Sequence, residues 1–296
     1  SLVDKGVHPT SVTAGYQSAL SDALSVLDTQ ATPVHSREEA RNVARTAMTG
    51  NDIGGLSETW ADIAVDAANT IGRPTELTFT VRTSDNGSIS DSRLVYGSVL
   101  DRNERADDQM PERIENARVL LIGGTTPGGL SDPSLRSSDP TLTSEDPSVT
   151  ERFDALHDDQ RTQIVSQLVQ LGVDVVVTHQ GIDEAYQEEL IKHDIIGIRG
   201  TNTLDIRQLA LATGATVVLD PTDVDTTDLG TAGVVQEIEM RTPGSRSRQR
   251  GVVFDECGDA ESVSAVLHGV KGALADYTTV ELRKAVAAVT AAKRGG

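Results

Sequence analysis

Aromatic residues make up only 3% of this 296-residue sequence, and it holds a single cysteine, Cys257. One cysteine excludes an internal disulfide framework and fits a reducing cytoplasm. No His or Asp signature of an activated nucleophile surrounds Cys257, so it reads as a small core residue. There is no apolar run of the roughly eighteen residues that a spanning helix needs, so no membrane segment is expected. The opening Ser1-Leu2-Val3-Asp4-Lys5 lacks the basic and apolar regions of a signal peptide, and it lacks an initiator Met. A processed chain or a piece of a longer one is therefore expected.

The usual furniture of catalysis is also missing. No Gly-x-Ser-x-Gly elbow occurs. His8, His35, His157, His179, His193 and His268 are scattered, with no pair at metal-ligand spacing, so no metal site is expected. Gly123-Gly124-Thr125-Thr126-Pro127-Gly128-Gly129 follows an apolar run as a phosphate loop does. It lacks the Lys-Ser/Thr pair, and Pro/Ser-rich sequence follows where a helix should open. It reads as a flexible entry to a loop.

Basic charge is scarce as well. Against 45 Asp and Glu stand 26 Lys and Arg, giving a net charge of -19 and a sequence pI near 4.6. The lysines are Lys5, Lys192, Lys271, Lys284 and Lys293 alone. Such a surface repels nucleic acid, whose binding needs a basic face. Dispersed acidity with little Lys fits a protein kept soluble in high salt, where charges are strongly screened. Arg241, Arg246, Arg248 and Arg250 cluster, and read as a solvated hairpin tip rather than a docking site for an acidic partner.

What is present divides by periodicity. The first stretch is helical. Thr10 or Ser11 offers an N-cap, and Val12, Tyr16, Ala19, Leu20, Ala23, Leu24 and Leu27 follow at helical spacing until Pro33. A second helix starts near Ser36, with Glu39 at capping-box spacing, and runs to about Met48. After a turn at Gly50, Gly54 and Gly55, a third helix, 56–70, puts Trp60, Ile63, Ala64 and Ala67 on one face.

From Gly72 the period changes to two. Residues 77–81 alternate as a half-buried strand, and Asp85-Asn86-Gly87 reads as a hairpin turn. Residues 93–100 predict one further strand, and 118–122 a buried one. The stretch 123–149 is rich in Gly, Ser, Pro, Thr and Asp and has little apolar surface to bury. Helices are then predicted at 150–171, 183–192 and 203–212, alternating with strands at 173–178, 195–198 and 215–219. That alternation argues for an α/β layer of parallel strands. Strands at 234–240, 251–254 and 262–267 and a helix at 278–293 complete the chain. The fold class expected is mixed α/β and α+β, with an α/β domain inserted into a mostly helical one.

Several segments, in order, resemble the group II (archaeal, thermosome or TCP-1-like) chaperonins. They are Gly6-Val7-His8-Pro9-Thr10 with Gly15-Tyr16, Ala47-Met48-Thr49-Gly50, and the run from Ser88 to Asp101. Met110-Pro111-Glu112-Arg113-Ile114-Glu115-Asn116-Ala117-Arg118 follows, then Gln180-Gly181-Ile182-Asp183, Ala212-Thr213-Gly214-Ala215 and Leu229-Gly230-Thr231-Ala232-Gly233. The resemblance covers essentially the whole chain.

The resemblance implies an intermediate domain at 1–93 and 258–296, and between its parts an apical, client-binding domain at 94–257 whose lid protrusion is 125–159. It implies client contact by the helices 161–171 and 183–193, with Ile164, Val165, Leu168, Tyr186, Glu189 and Leu190 as candidate residues. Most of Ile164, Val165 and Leu168 are expected in the core, leaving a polar-leaning edge to the client. Hinges are implied near Gly97 and Gly258. The partners implied are unfolded proteins and other subunits of a double ring, in the cytoplasm, without nucleic acid or membrane.

In the family, ATP and Mg bind an equatorial domain built from both ends of the polypeptide. Its Gly-Asp-Gly-Thr-Thr loop is not in this sequence, so no cofactor and no catalytic residue is expected within the chain. The resemblance further aligns Lys284 with an aspartate that serves ATP hydrolysis, and a lysine cannot act as that carboxylate. The alternative reading is a stand-alone paralogue that binds proteins passively without an ATPase. A third, an α/β enzyme with an inserted lid, lacks any nucleophile, metal or cofactor loop.

Overall fold

The structure, a computed structural model, describes residues 5–30, 32–48, 57–84, 86–101, 105–124, 130, 147–240, 249–258, 260–270 and 272–294. The turn at Gly50, Gly54 and Gly55, most of the expected protrusion, and Arg241, Arg246 and Arg248 lie outside them. Three helices come first: α1 (Pro9–Gln30), α2 (Arg37–Met48) and α3 (Ser57–Thr70). Next are β1 (Phe79–Ser84), a 3-10 turn (Ile89–Asp91), β2 (Arg93–Val95), β3 (Ser98–Leu100) and β4 (Arg113–Ile122). Then follow α4 (Pro147–Leu171), β5 (Val175–Thr178), α5 (Glu184–Lys192), β6 (Ile196–Ile198), α6 (Thr203–Thr213) and β7 (Val217–Val218). The chain ends with β8 (Gly230–Met240), β9 (Gln249–Asp255), β10 (Val263–His268) and α7 (Ala273–Lys293).

The N-terminal helix starts two residues earlier than its sequence suggests. The His8 carbonyl accepts from Ser11 N at 2.9 Å and Val12 N at 3.2 Å, and Pro9 takes the first helical position. Proline suits that position because its missing N–H would be unpaired there anyway. The apolar residues of α1 find no core: Tyr16, Leu20, Leu24 and Leu27 are all exposed. The capping box of α2 forms as read. Glu39 N donates to Ser36 Oγ at 3.1 Å, and Ser36 N donates back to Glu39 Oε2 at 3.1 Å. Backbone N–H groups of His35 and Ser36 on the Glu39 carboxylate hold its pKa below the usual carboxylate value.

Helices α2, α3 and α7 pack on one side of a small sheet of order β1-β10-β2. Trp60, Ala64, Ala67, Leu282, Val286 and Val289 meet Phe79, Val263 and Leu267 in that core. Outside it, Arg41 joins Glu58 at 3.1 Å and Asp62 at 3.0 Å, tying α2 to α3.

The larger sheet has the order β3-β9-β8-β4-β5-β6, and β7 pairs with the far end of β4. Strands β4, β5, β6 and β7 run parallel, as alternation with helices requires, while β8 and β9 form an antiparallel ribbon. Both faces are covered, and successive residues serve opposite cores. Val119, Leu121, Val175 and Val177 face α6, and Leu120, Ile122 and Val176 face α4 and α5. That is why these strands read as continuous apolar runs rather than alternating ones.

Three expectations are corrected. Asn86-Gly87 closes no hairpin, because β10 lies between β1 and β2 and runs parallel to β1. Residues 93–100 are two strands in different sheets, broken at Tyr96-Gly97. And β4 begins at Arg113 rather than 118: its first half is an exposed ladder paired with β8, interrupted by Asn116 at φ 53°.

Candidate functional site

Helices α4 and α5 lie on one face of the larger sheet, and their inward sides fill its core. Ile164, Val165, Leu168, Tyr186 and Leu190 are all buried there, against Leu120, Ile122 and Val176. In this packing all five side chains fill the core of the domain. The expectation that most of the first three are buried thus extends to all five. Glu189 is half-buried and receives Lys192 Nζ at 2.7 Å. Among the described residues, α4 and α5 show to solvent Ser166, Val169, Gln170, Glu184, Glu188 and Lys192, with Thr162, Gln163 and 158–160 nearer the start of α4. Among the described residues of that surface, Val169 is a large apolar one, 40% exposed.

The two sheets are joined by two crossings of the chain. One passes from β2 to β3 through Tyr96-Gly97, and the other from β9 to β10 through 256–262. The two candidate hinge glycines differ. A Cβ on Gly97 would lie 2.1 Å from the Phe254 carbonyl oxygen and 3.0 Å from Cys257 Sγ, whereas Gly258 is exposed with nothing within 4 Å. The crossings lie side by side: Cys257 N donates to Tyr96 O at 3.0 Å, and Tyr96 N to Asp255 Oδ1 at 3.0 Å. Burial, and secondarily the Asp255 charge, pushes the Cys257 thiol pKa up to about 12, which makes it a poor nucleophile, as its sequence context implied.

Side chains also bridge the joint. Arg82 of β1 reaches Asp205 of α6 at 2.9 Å and the Val99 carbonyl at 3.1 Å. Gln208 Nε2 donates to Glu76 O at 2.6 Å. Val95 and Val266 of the small sheet meet Val99, Val253 and Met240 of the large one. None of these contacts was foreseen, because each pairs residues more than a hundred positions apart or joins separate sheets. A buried pair was also missed: Arg105, 3% exposed, clamps Glu237 at 3.2 Å. A charged run around Arg105 gives no sign of burial. Among the described residues no group of three or more His, Cys, Asp or Glu is placed to hold a metal. None of the helices searched is long and apolar enough to cross a membrane.

The family model of the TCP-1/cpn60 chaperonins matches residues 1–296. The chain belongs to that family. Among similar proteins, thermosome subunit beta of Desulfurococcus mucosus is 32% identical over 304 residues, covering all of this chain and 58% of that subunit. Thermosome subunit 1 of Haloferax volcanii is 30% identical over 273 residues, covering 90% and 47%. The fold is that of an open-state monomer of a group II chaperonin from Methanococcoides burtonii, with a TM-score of 0.64 at 24% identity over 97% of this chain and 65% of the other. These relatives make it a group II chaperonin, and the chain spans about half the length of the curated relatives it matches.

In this chaperonin chain Lys284 is exposed on α7, and its Nζ bonds Glu281 Oε1 at 2.7 Å. The Glu281 carboxylate raises the Lys284 pKa, so the position is cationic. The acid at hand is Glu281, one turn earlier, and it is buried.

Proposed function

We propose that this chain is the client-binding half of a chaperonin subunit. It holds unfolded protein and closes over it when ATP and Mg act in an equatorial domain outside these residues. The apical domain is 94–257, carrying its lid protrusion at 125–159, and the intermediate domain is 1–93 with 258–296. The joint at Gly97 and at 256–262 is the hinge, and nucleotide shifts the population between open and closed arms. Clients meet the outer edge of α4 and α5 and the protrusion, not the buried faces of those helices. The setting is a cytoplasmic ring at high salt, which the net charge of -19 suits.

The observation that carries the reading is the family match from residue 1 to 296. The test is suppression of aggregation of a denatured client, measured in molar salt. Substoichiometric to equimolar chain is expected to lower the light scattering. No effect at several-fold excess overturns a holding role.

Lys284 favours a second reading, a passive holdase without its own ATPase. Purifying the native subunit in high salt decides between them. A ring of subunits near twice this mass that hydrolyses ATP removes the passive reading; a small particle of about this mass supports it.

A further inference from the structure

We infer that the Arg82–Asp205 ion pair is a clasp that sets how often the joint between the two sheets opens. Only two thin crossings connect the sheets covalently, so the angle between them rests on contacts that bridge the gap. Arg82 spans it, as does Arg93 of β2, whose Nη1 donates to Asp255 of β9 at 2.5 Å, and Arg82 is the less exposed of the two. It leaves β1 of the small sheet, and its three acceptors all belong to the other body. Nη2 meets Asp205 Oδ1 at 2.9 Å, Nε donates to Val99 O at 3.1 Å, and Nη1 stands 3.6 Å from Asp101 Oδ1.

The receiving carboxylate is set in advance. Asp205 accepts from Asn202 Nδ2 at 2.6 Å, and its own N–H donates to Asn202 Oδ1 at 3.0 Å, in the N-cap of α6. The Arg82 side chain is 19% exposed and that of Asp205 9%, so both charges give up water when the joint closes. A half-buried pair of this kind is balanced: closed, the attraction offsets lost hydration; open, both groups rehydrate. Remove one partner and the other stays largely desolvated without its opposite charge at bonding distance, which favours opening. The apolar cluster of Val95, Val99, Val253, Val266 and Met240 is the cohesive part of the joint, and the clasp is its adjustable part.

The chain carries its own reporter. Cys257 is its single cysteine, buried in the second crossing against Gly97. It reacts with a thiol reagent only when that crossing separates from the first. The clasp rests on the hinge of the proposed function, but the reporter reads the joint and not the client.

The experiment measures the labelling rate of Cys257 by a maleimide across low denaturant concentrations, well below unfolding. Arg82→Ala and Asp205→Asn are each expected to speed labelling about 10- to 100-fold, with the double variant no faster than the faster single one. Leu168→Ala destabilises a core remote from the joint and is expected to leave native-condition labelling unchanged. If wild-type labelling is local, with little dependence on denaturant, and neither substitution changes it, the clasp is overturned and the hinge stands. If Cys257 labels only through global unfolding in every variant, clasp and hinge fall together.

Discussion

Gly97 lies against Phe254 so closely that any Cβ there would sit 2.1 Å from the Phe254 carbonyl oxygen. Gly97 stands on one crossing and Phe254 in β9 just before the other, and their contact is what lets the crossings run side by side. Backbone cannot be pushed aside as a flexible side chain can. Gly97→Ala is therefore expected to cost at least about 3 kcal/mol, the upper range for overpacking. Gly258, with open space around it, is expected to accept alanine within about 0.5 kcal/mol. Denaturant midpoints of the two variants check this, and equal costs would remove the distinction between the two glycines.

Arg105 and Glu237 form a buried ion pair beside the β8–β9 ribbon. Arg105 also donates to the carbonyls of Asp108, at 3.0 Å, and Met110. Arg105→Ala leaves a carboxylate that is 10% exposed without its main partner. Arg250, 3.5 Å away, compensates in part. The expected loss is about 3 kcal/mol, the low end for breaking a buried pair. Replacing both partners with apolar residues of similar size is expected to cost much less. A urea titration of single and double variants measures the difference.

The raised pKa of Cys257 makes stability depend on alkaline pH. The folded value is near 12 against 9.0 for the free thiol, so between these pH values the unfolded chain has lost a proton that the folded chain keeps. Stability from this group is complete below pH 9 and is lost as pH rises toward 12, by at most about 1.4 kcal/mol per unit. Cys257→Ala removes that slope. Comparing thermal midpoints of the two proteins from pH 8 to 11 isolates it from Lys and Tyr titration, which they share. Parallel curves would show that the thiol is not held in its neutral form.

Much of the fold was legible because each local signal agreed with its neighbours. The Ser36/Glu39 box, the α3 face of Trp60, Ile63, Ala64 and Ala67, and Gly214 closing α6 at φ 75° all stand as read. The failures lie where pairing is non-local. Nothing between Arg93 and Leu100 marks a change of sheet except Gly97, whose reason is a carbonyl more than 150 residues away. Asn86-Gly87 has the chemistry of a hairpin, yet β10 takes the place between the strands, and only tertiary pairing decides that. On the candidate site, periodicity located α4 and α5, but it marks the face that faces the core. The outer side has no periodic signal, because among the described residues it is mainly ordinary polar surface.

That distinction between core and outer face has a direct test. Leu168 is fully buried in α4, while Val169, the next residue, points outward. Leu168→Ala is expected to cost about 2–5 kcal/mol of stability, the range for a large-to-small core change. Its affinity for an unfolded client, per folded molecule, is expected to be unchanged. Val169→Asp is expected to do the reverse. An exposed position changes stability by about 0.5 kcal/mol or less, but a charge there removes apolar contact and adds to an already acidic surface. Client affinity is expected to fall several-fold, read by fluorescence anisotropy of a labelled reduced protein in molar salt. If Leu168→Ala weakens binding while Val169→Asp does not, the helices must turn their inner face outward to meet clients, and the closed packing described here is not the binding state.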